Sequence, residues 1–355
     1  MKRPSRLRLL PLALLLPLGL MACGSPSGTT TTGGEAEDED GLSSEETDPG
    51  ITAGDTDTDP STDPKLDQAA DMDLPEGEQV GCEKIDFLFV IDSSGSMADN
   101  QANLIASFPG LVTAMMDNVE ADDWHVMVVD VDQQWSGTDC ANACQTLGSC
   151  PGAPDFDCDT PPPGLCDITL GAGETAPFGE AASNQDCGLA TDSRYIEAGE
   201  PDPLGAFSCI ASVGIDGSDA ERPMDALTRA LSPELNDEGE CNAGFVRDDA
   251  ILVVTVITDE PDEHSPGDPA DWYDAVLAAK GEQAEAVVVL GLLPDGDLDQ
   301  PLCGVESVPA PRMSQFLELF ENSGRASVCE PDYSPFFVDA VSVIGEACEN
   351  FVPIG

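Results

Sequence analysis

Two short stretches of this chain are apolar at nearly every position, and each stops at an aspartate. Phe87 to Ile91 reads Phe-Leu-Phe-Val-Ile and ends at Asp92, and Ile251 to Thr258 reads Ile-Leu-Val-Val-Thr-Val-Ile-Thr and ends at Asp259. A strand with one face in water alternates apolar and polar residues. A continuous apolar run of this length is instead a strand buried on both faces, as in a parallel sheet covered by helices. That requirement confines the chain to an α/β architecture, in which ligands bind outside the carboxyl ends of the strands.

The residues at the first of these ends are Asp92-Ser93-Ser94-Gly95-Ser96. One carboxylate and two hydroxyls, in an Asp-x-Ser-x-Ser arrangement on a tight loop, are hard oxygen ligands. They suit Mg²⁺, which takes near-octahedral oxygen coordination and keeps positions open for water or a partner. The competing reading is a polar strand-to-helix loop in which Ser94 or Ser96 caps the next helix.

The buried strand followed by Asp-x-Ser-x-Ser-Met, with a second apolar strand ending in Asp259, resembles a von Willebrand factor A domain and its metal-ion-dependent adhesion site. The resemblance covers about residues 82–350. It implies a doubly wound, mostly parallel Rossmann-like α/β sheet, with Asp92, Ser94, Ser96 and Asp259 around Mg²⁺ (Mn²⁺ or Ca²⁺ as alternatives). A coordination position would remain open for a partner's carboxylate. In that family a Thr five residues before an Ala-Leu pair also reaches the metal. Counting back from Ala226 puts Glu221 there, a departure that leaves three readings. Glu221 ligates, Ser218 substitutes, or Ser218-x-x-Glu221 ahead of Pro223 is a helix-capping box. The resemblance also implies that Cys82 pairs with Cys348, because the termini of such domains lie close together. Cys303 with Cys329 is a local guess.

The amino-terminal segment sets the compartment. Lys2, Arg3, Arg6 and Arg8 precede an apolar run from Leu9 to Leu20, too short to span a bilayer and flanked like a signal peptide. Leu20-Met21-Ala22-Cys23 resembles a bacterial lipobox, which implies a signal peptide over 1–22 and a lipidated Cys23. Such a chain belongs to the bacterial cell envelope and touches the membrane only through its lipid. Residues 23–80 are dominated by Gly, Ser, Thr, Pro, Asp and Glu, with Lys65 as their single cation. They read as a disordered acidic tether.

The chain holds 13 Lys and Arg against 69 Asp and Glu, a formal net charge of −56. Nucleic acid is excluded as a partner, since little is available to replace counterions on phosphates. Of the 13 cysteines, 12 remain after Cys23, which in an exported chain reads as up to six disulfides. A zinc reading of Cys140 and Cys144 lacks a second paired ligand cluster. Residues 132–192 hold six of these cysteines together with Pro161-Pro-Pro163 and read as a disulfide-stapled insertion, followed by an edge strand at Arg194–Ile196. The insertion is either a recognition surface or a structural elaboration.

The helix expected after Asp92 carries Ile105, Phe108, Val112, Met115 and Val119 on one face, and Pro109 is expected to kink or break it. No enzyme is expected. Only His125 and His264 are available as bases, and the residues around Ser94 lack the Gly-x-Ser-x-Gly elbow. The acidic run Asp259, Glu260, Asp262, Glu263 reads as a solvated loop or a second cation site. The function expected is binding of a protein or polysaccharide partner through the cation. The alternatives are a metal-dependent hydrolase at the same acidic site and a structural envelope protein with a stabilising metal.

Overall fold

The apolar runs form the centre of one sheet. A computed structural model describes residues 82–353 other than 120, 133, 134, 219, 299, 305 and 306. The expected signal peptide, lipidated Cys23 and acidic tether therefore lie outside the described residues. Along the chain the elements are β1 (Lys84–Ile91), α1 (Ala98–Asn118), β2 (Asp123–Asp130), α2 (Thr138–Leu147), β3 (Ile196–Glu197), α3 (Pro203–Ala211), α4 (Pro223–Ala230) and α5 (Pro233–Asn236). They continue as β4 (Ile251–Ile257), α6 (Pro269–Ala279), β5 (Val287–Leu293), α7 (Pro311–Leu317), β6 (Ser323–Ser327) and α8 (Ser334–Asn350).

The six strands lie in the order β3-β2-β1-β4-β5-β6. All neighbours are parallel except β2 and β3, and β3 is the short edge strand expected at 194–196. β4 and β5 are buried at every residue, and β1 at all but Lys84. Because side chains alternate across a strand, Ile85, Phe87, Phe89 and Ile91 face one layer of helices, α1, α3 and α8. Leu88 and Val90 face the other, with α4, α6 and α7. This is a mostly parallel α/β sheet with a core on each face. Phe108 of α1 stacks on Phe207 of α3 at 3.5 Å between centroids, and Phe89 meets both edge-on.

Pro109 does not break α1, which continues unbroken to Asn118. The residues around it bury Phe108 and Leu111 in the core, and this packing outweighs the one backbone hydrogen bond that proline removes. The Thr113 hydroxyl also donates to the Pro109 carbonyl (2.8 Å).

Six disulfides join all 12 cysteines from Cys82 onward, including the expected Cys82–Cys348 and Cys303–Cys329. Cys140 and Cys144 are bonded to Cys150 and Cys158, which leaves no thiolates for zinc. The insertion is not held by cross-links alone. It contains α2 and a small aromatic core in which Trp135, Phe156 and Phe178 lie 5.9–6.4 Å apart. Cys166–Cys241 and Cys187–Cys209 fasten it to the body of the domain.

Candidate metal centre

Strand order decides where a crevice opens. The chain leaves β1 for β2 on one side and later adds β4 on the other, so the direction of winding reverses between β1 and β4. That switch point is where loops diverge and a ligand finds room. In register, Ile91 of β1 sits opposite Ile257 of β4, and the Asp92 amide donates to the Ile257 carbonyl (3.0 Å). The two strands therefore end level, and the two aspartates singled out in the sequence emerge side by side.

Asp92 is fully buried. Its Oδ1 accepts the Ser94 amide (2.7 Å) and its Oδ2 accepts the Thr258 hydroxyl (2.6 Å). Burial pushes its carboxyl up to about 6; the bonds from Thr258 and Ser94 oppose this, and the charge of Asp259 adds to it. Ser94 is nearly buried and Ser96 is exposed. Their hydroxyls lie 3.3 Å apart, and the Ser96 hydroxyl donates to Asp259 Oδ1 (3.1 Å). Asp92, Ser94, Ser96 and Asp259 are thus one hydrogen-bonded group, assembled from residues more than 160 positions apart in sequence.

The spacing of these oxygens tests their fit to a cation. Two adjacent ligands on an octahedral ion at 2.0–2.1 Å stand about 3.0 Å apart. The Ser94–Ser96 and Ser96–Asp259 separations of 3.3 and 3.1 Å are of that size. Hydroxyl and carboxylate oxygens are the donors that Mg²⁺, Mn²⁺ or Ca²⁺ take, so the residues present fit the ion. Among the described residues no three Asp, Glu, His or Cys side chains form a metal-binding group. The candidate set consists of two carboxylates and two hydroxyls.

A third segment closes over the group. Residues 212–218 run from the end of α3 toward α4, and the Gly217 amide donates to the Ser93 carbonyl (2.9 Å). A Cβ at Gly217 would lie 2.6 Å from that carbonyl oxygen, so only glycine permits the approach. The buried amide of Gln101 donates to both the Asp92 and Gly214 carbonyls (3.0 and 2.9 Å). The Ser218 amide donates to Asp132 Oδ2 (2.7 Å).

Glu221 is buried, 6 % exposed, just before α4. The capping-box reading of Ser218 and Glu221 is overturned. Arg222 is the N-cap of α4 and makes no side-chain cap bond, while the Ser218 hydroxyl accepts from the Ala220 amide (3.4 Å), ahead of the helix. Caps arrive instead from a remote loop, where Asp262 Oδ2 accepts the Met224 amide (3.0 Å) and the Ser265 hydroxyl the Asp225 amide (2.8 Å). Asp262 also accepts the amides of His264 and Ser265, so it is buried and committed to backbone donors. The acidic run 259–263 is thereby divided between helix capping and the Asp92 group, and a second cation site there loses its central ligand.

Thr258, Gln101 and Gly217 escaped the sequence reading. Thr258 had a signal, being the polar residue between an apolar strand and Asp259; the other two act through contacts more than 100 residues away. His125 lies at the opposite end of the sheet, against the Phe245 carbonyl (3.1 Å), and His264 is exposed.

No family model matches this chain, and no curated protein matches it. Among solved structures it is similar to proximal thread matrix protein 1 from the mussel byssus, at 12 % identity and a TM-score of 0.35, over 73 % of this chain and 49 % of that one. It is also similar to the pilus adhesin SpaC from Lactobacillus rhamnosus GG in its open conformation, at 12 % identity and a TM-score of 0.34, over 74 % of this chain and 30 % of that one. The chain spans less than half the length of either.

Proposed function

We propose that residues 82–350 form a von Willebrand factor A-type domain that binds a protein or polysaccharide partner through a divalent cation. The domain would sit on a cell-envelope protein anchored by lipid at Cys23. The observation that carries the reading is the meeting of Asp92, Ser94, Ser96 and Asp259 at the switch point, with oxygens spaced as neighbouring ligands of a small divalent ion.

Each residue has a distinct task in this reading. Ser94 and Ser96 present hydroxyl oxygens from one loop. Asp259 supplies negative charge from the neighbouring strand end, and Asp92 is fixed in orientation by Thr258 and by the Ser94 amide. Glu221 stands in the position where the family carries a Thr ligand, and Ser218 is the substitute if it does not reach the ion. A bound Mg²⁺ would supply an electrophilic, partly open coordination sphere suited to a partner's carboxylate.

The test is calorimetric titration with Mg²⁺, Mn²⁺ and Ca²⁺, followed by capture of envelope components with and without chelator. Asp92→Ala is expected to abolish cation binding and Ser96→Ala to weaken it. If Glu221→Ala lowers cation affinity it is a ligand; if only metal-free stability falls, its role is structural. Equal Mg²⁺ affinity in wild type and Asp92→Ala would refute the cation reading.

A further inference from the structure

The segment that closes over the Asp92 group has two edges, and only one of them faces the group. On the inner edge are the bonds from Gly217 to Ser93 and from Gln101 to Gly214. On the outer edge Ser212, Ile215 and Asp216 of the same segment bond to the cysteine-rich insertion. The Ile215 amide donates to the Glu180 carbonyl (2.9 Å), the Glu180 amide to Asp216 Oδ2 (2.8 Å) and the Ser183 amide to the Ser212 carbonyl (3.2 Å). Contact there is close. A Cβ at Gly179 would meet Asp216 Oδ2 at 2.9 Å, and one at Gly214 would meet the Glu180 carbonyl at 3.1 Å. Cys187–Cys209 then locks the insertion to α3, three residues before the segment begins at Ser212.

We infer that the insertion positions the cation site by clamping residues 212–218 against the Asp92 loop, with Asp216 as the positioning residue at the clamp. This rests on the cation reading above and adds its regulation. A partner that moved the insertion would change cation affinity, and a bound cation would in turn change affinity for that partner, since coupling between two sites is reciprocal. The physical basis is a chain of short bonds through a segment with a bonded neighbour on either side. Release of the outer edge leaves the inner edge to hold the segment alone. Asp216 is not a ligand candidate, because its carboxylate is turned to the insertion's backbone.

The test combines Mg²⁺ titration with hydrogen exchange. Asp216→Ala is expected to weaken Mg²⁺ binding roughly tenfold, as residues that orient ligands without touching the ion do. Asp216→Asn keeps an acceptor oxygen but loses the charge, so it is expected to bind near the wild-type level. Equal weakening in both variants would mean long-range electrostatics and would overturn the clamp. Cys187→Ser/Cys209→Ser is expected to weaken binding as Asp216→Ala does. In metal-free protein, exchange at the Gly217 amide is expected to accelerate in Asp216→Ala. Unchanged exchange would overturn the clamp whatever the metal result. Faster exchange, with Mg²⁺ bound equally by wild type and Asp92→Ala, would uphold the clamp and remove only the cation reading.

Discussion

Gly217→Ala is the sharpest steric test of how the site is built. The added Cβ would sit 2.5 Å from the Ser93 hydroxyl, 2.6 Å from the Ser93 carbonyl oxygen and 2.9 Å from the carbonyl carbon. The hydroxyl can rotate away, but the carbonyl cannot. Ordinary contact begins near 3.4 Å, so one of the two segments must retreat by about 0.8 Å at the point where the Gly217 amide bonds to that same oxygen. Losing a backbone bond costs about 0.5–1.5 kcal/mol. Forcing a methyl into a packed site costs about 1–3 kcal/mol. The variant should therefore lose about 2–4 kcal/mol in urea unfolding, and its Mg²⁺ affinity should fall, because Ser93 is flanked by Asp92 and Ser94. Gly95→Ala is the matched control. Its Cβ would meet nothing closer than the Ile215 carbonyl at 4.0 Å, and it should stay within about 0.5 kcal/mol of wild type. A Gly217→Ala protein as stable as the control, with wild-type cation affinity, would refute the close approach.

Cys82 and Cys348 are 266 residues apart. The bonds Cys166–Cys241 and Cys303–Cys329 shorten that loop but leave it on the order of 100 residues or more, for which chain entropy gives about 4.7 kcal/mol. Cys82→Ser/Cys348→Ser should lose most of this in equilibrium unfolding, and a loss below about 1 kcal/mol would contradict the entropic account. Burial raises Glu174 to about 7 and Asp86 to about 6, so each favours folding when protonated. Metal-free stability should accordingly be higher near pH 4 on their account and fall as pH climbs through 6 to 7. Glu174→Gln should flatten the upper part of that slope, and an unaltered slope would contradict the assignment. Cys23→Ser should move the protein out of the detergent phase, whereas unchanged partitioning would rule out the lipid.

What could be read from the sequence followed from local chemistry. β1 and β4 announce themselves because burial on both faces demands uninterrupted apolar residues. Asp92 and Asp259 stand out because a charge ends each run. The bounds of β6 could not be read, because Ser-Gly-Arg-Ala-Ser at a sheet edge carries no apolar signature. The cap of α4 could not be read either. Ser218-x-x-Glu221 has the local pattern, yet Asp262 and Ser265 supply the acceptors from about 40 residues downstream. Gly217 looks like any loop glycine until Ser93, 124 positions earlier, is folded against it. Most of the disulfide pairs were hidden for the same reason, since Cys166 finds Cys241 across 75 residues of intervening fold.

The two ends of β1 offer an internal comparison. Asp86 near its start and Asp92 just past its end are both fully buried, and burial raises both. At Asp86 the chain supplies the opposing charge. The Arg247 guanidinium lies 2.8 Å from Oδ1, the Arg247 amide donates to Oδ2 (2.8 Å), and the Lys280 ammonium contacts the Arg247 carbonyl. A buried carboxylate held this way is an ordinary structural ion pair. At Asp92 the partners are the Thr258 hydroxyl and the amide and hydroxyl of Ser94, all neutral, and the nearby charge of Asp259 is of the same sign. Among the described residues no Lys or Arg pairs with it. Two neighbouring carboxylates repel unless one is protonated or a cation lies with them. The hydroxyls of Ser94 and Ser96 stand beside Asp259 at ligand spacing. A divalent ion there would relieve the repulsion and use the hydroxyl oxygens at once, where protonation would do only the first.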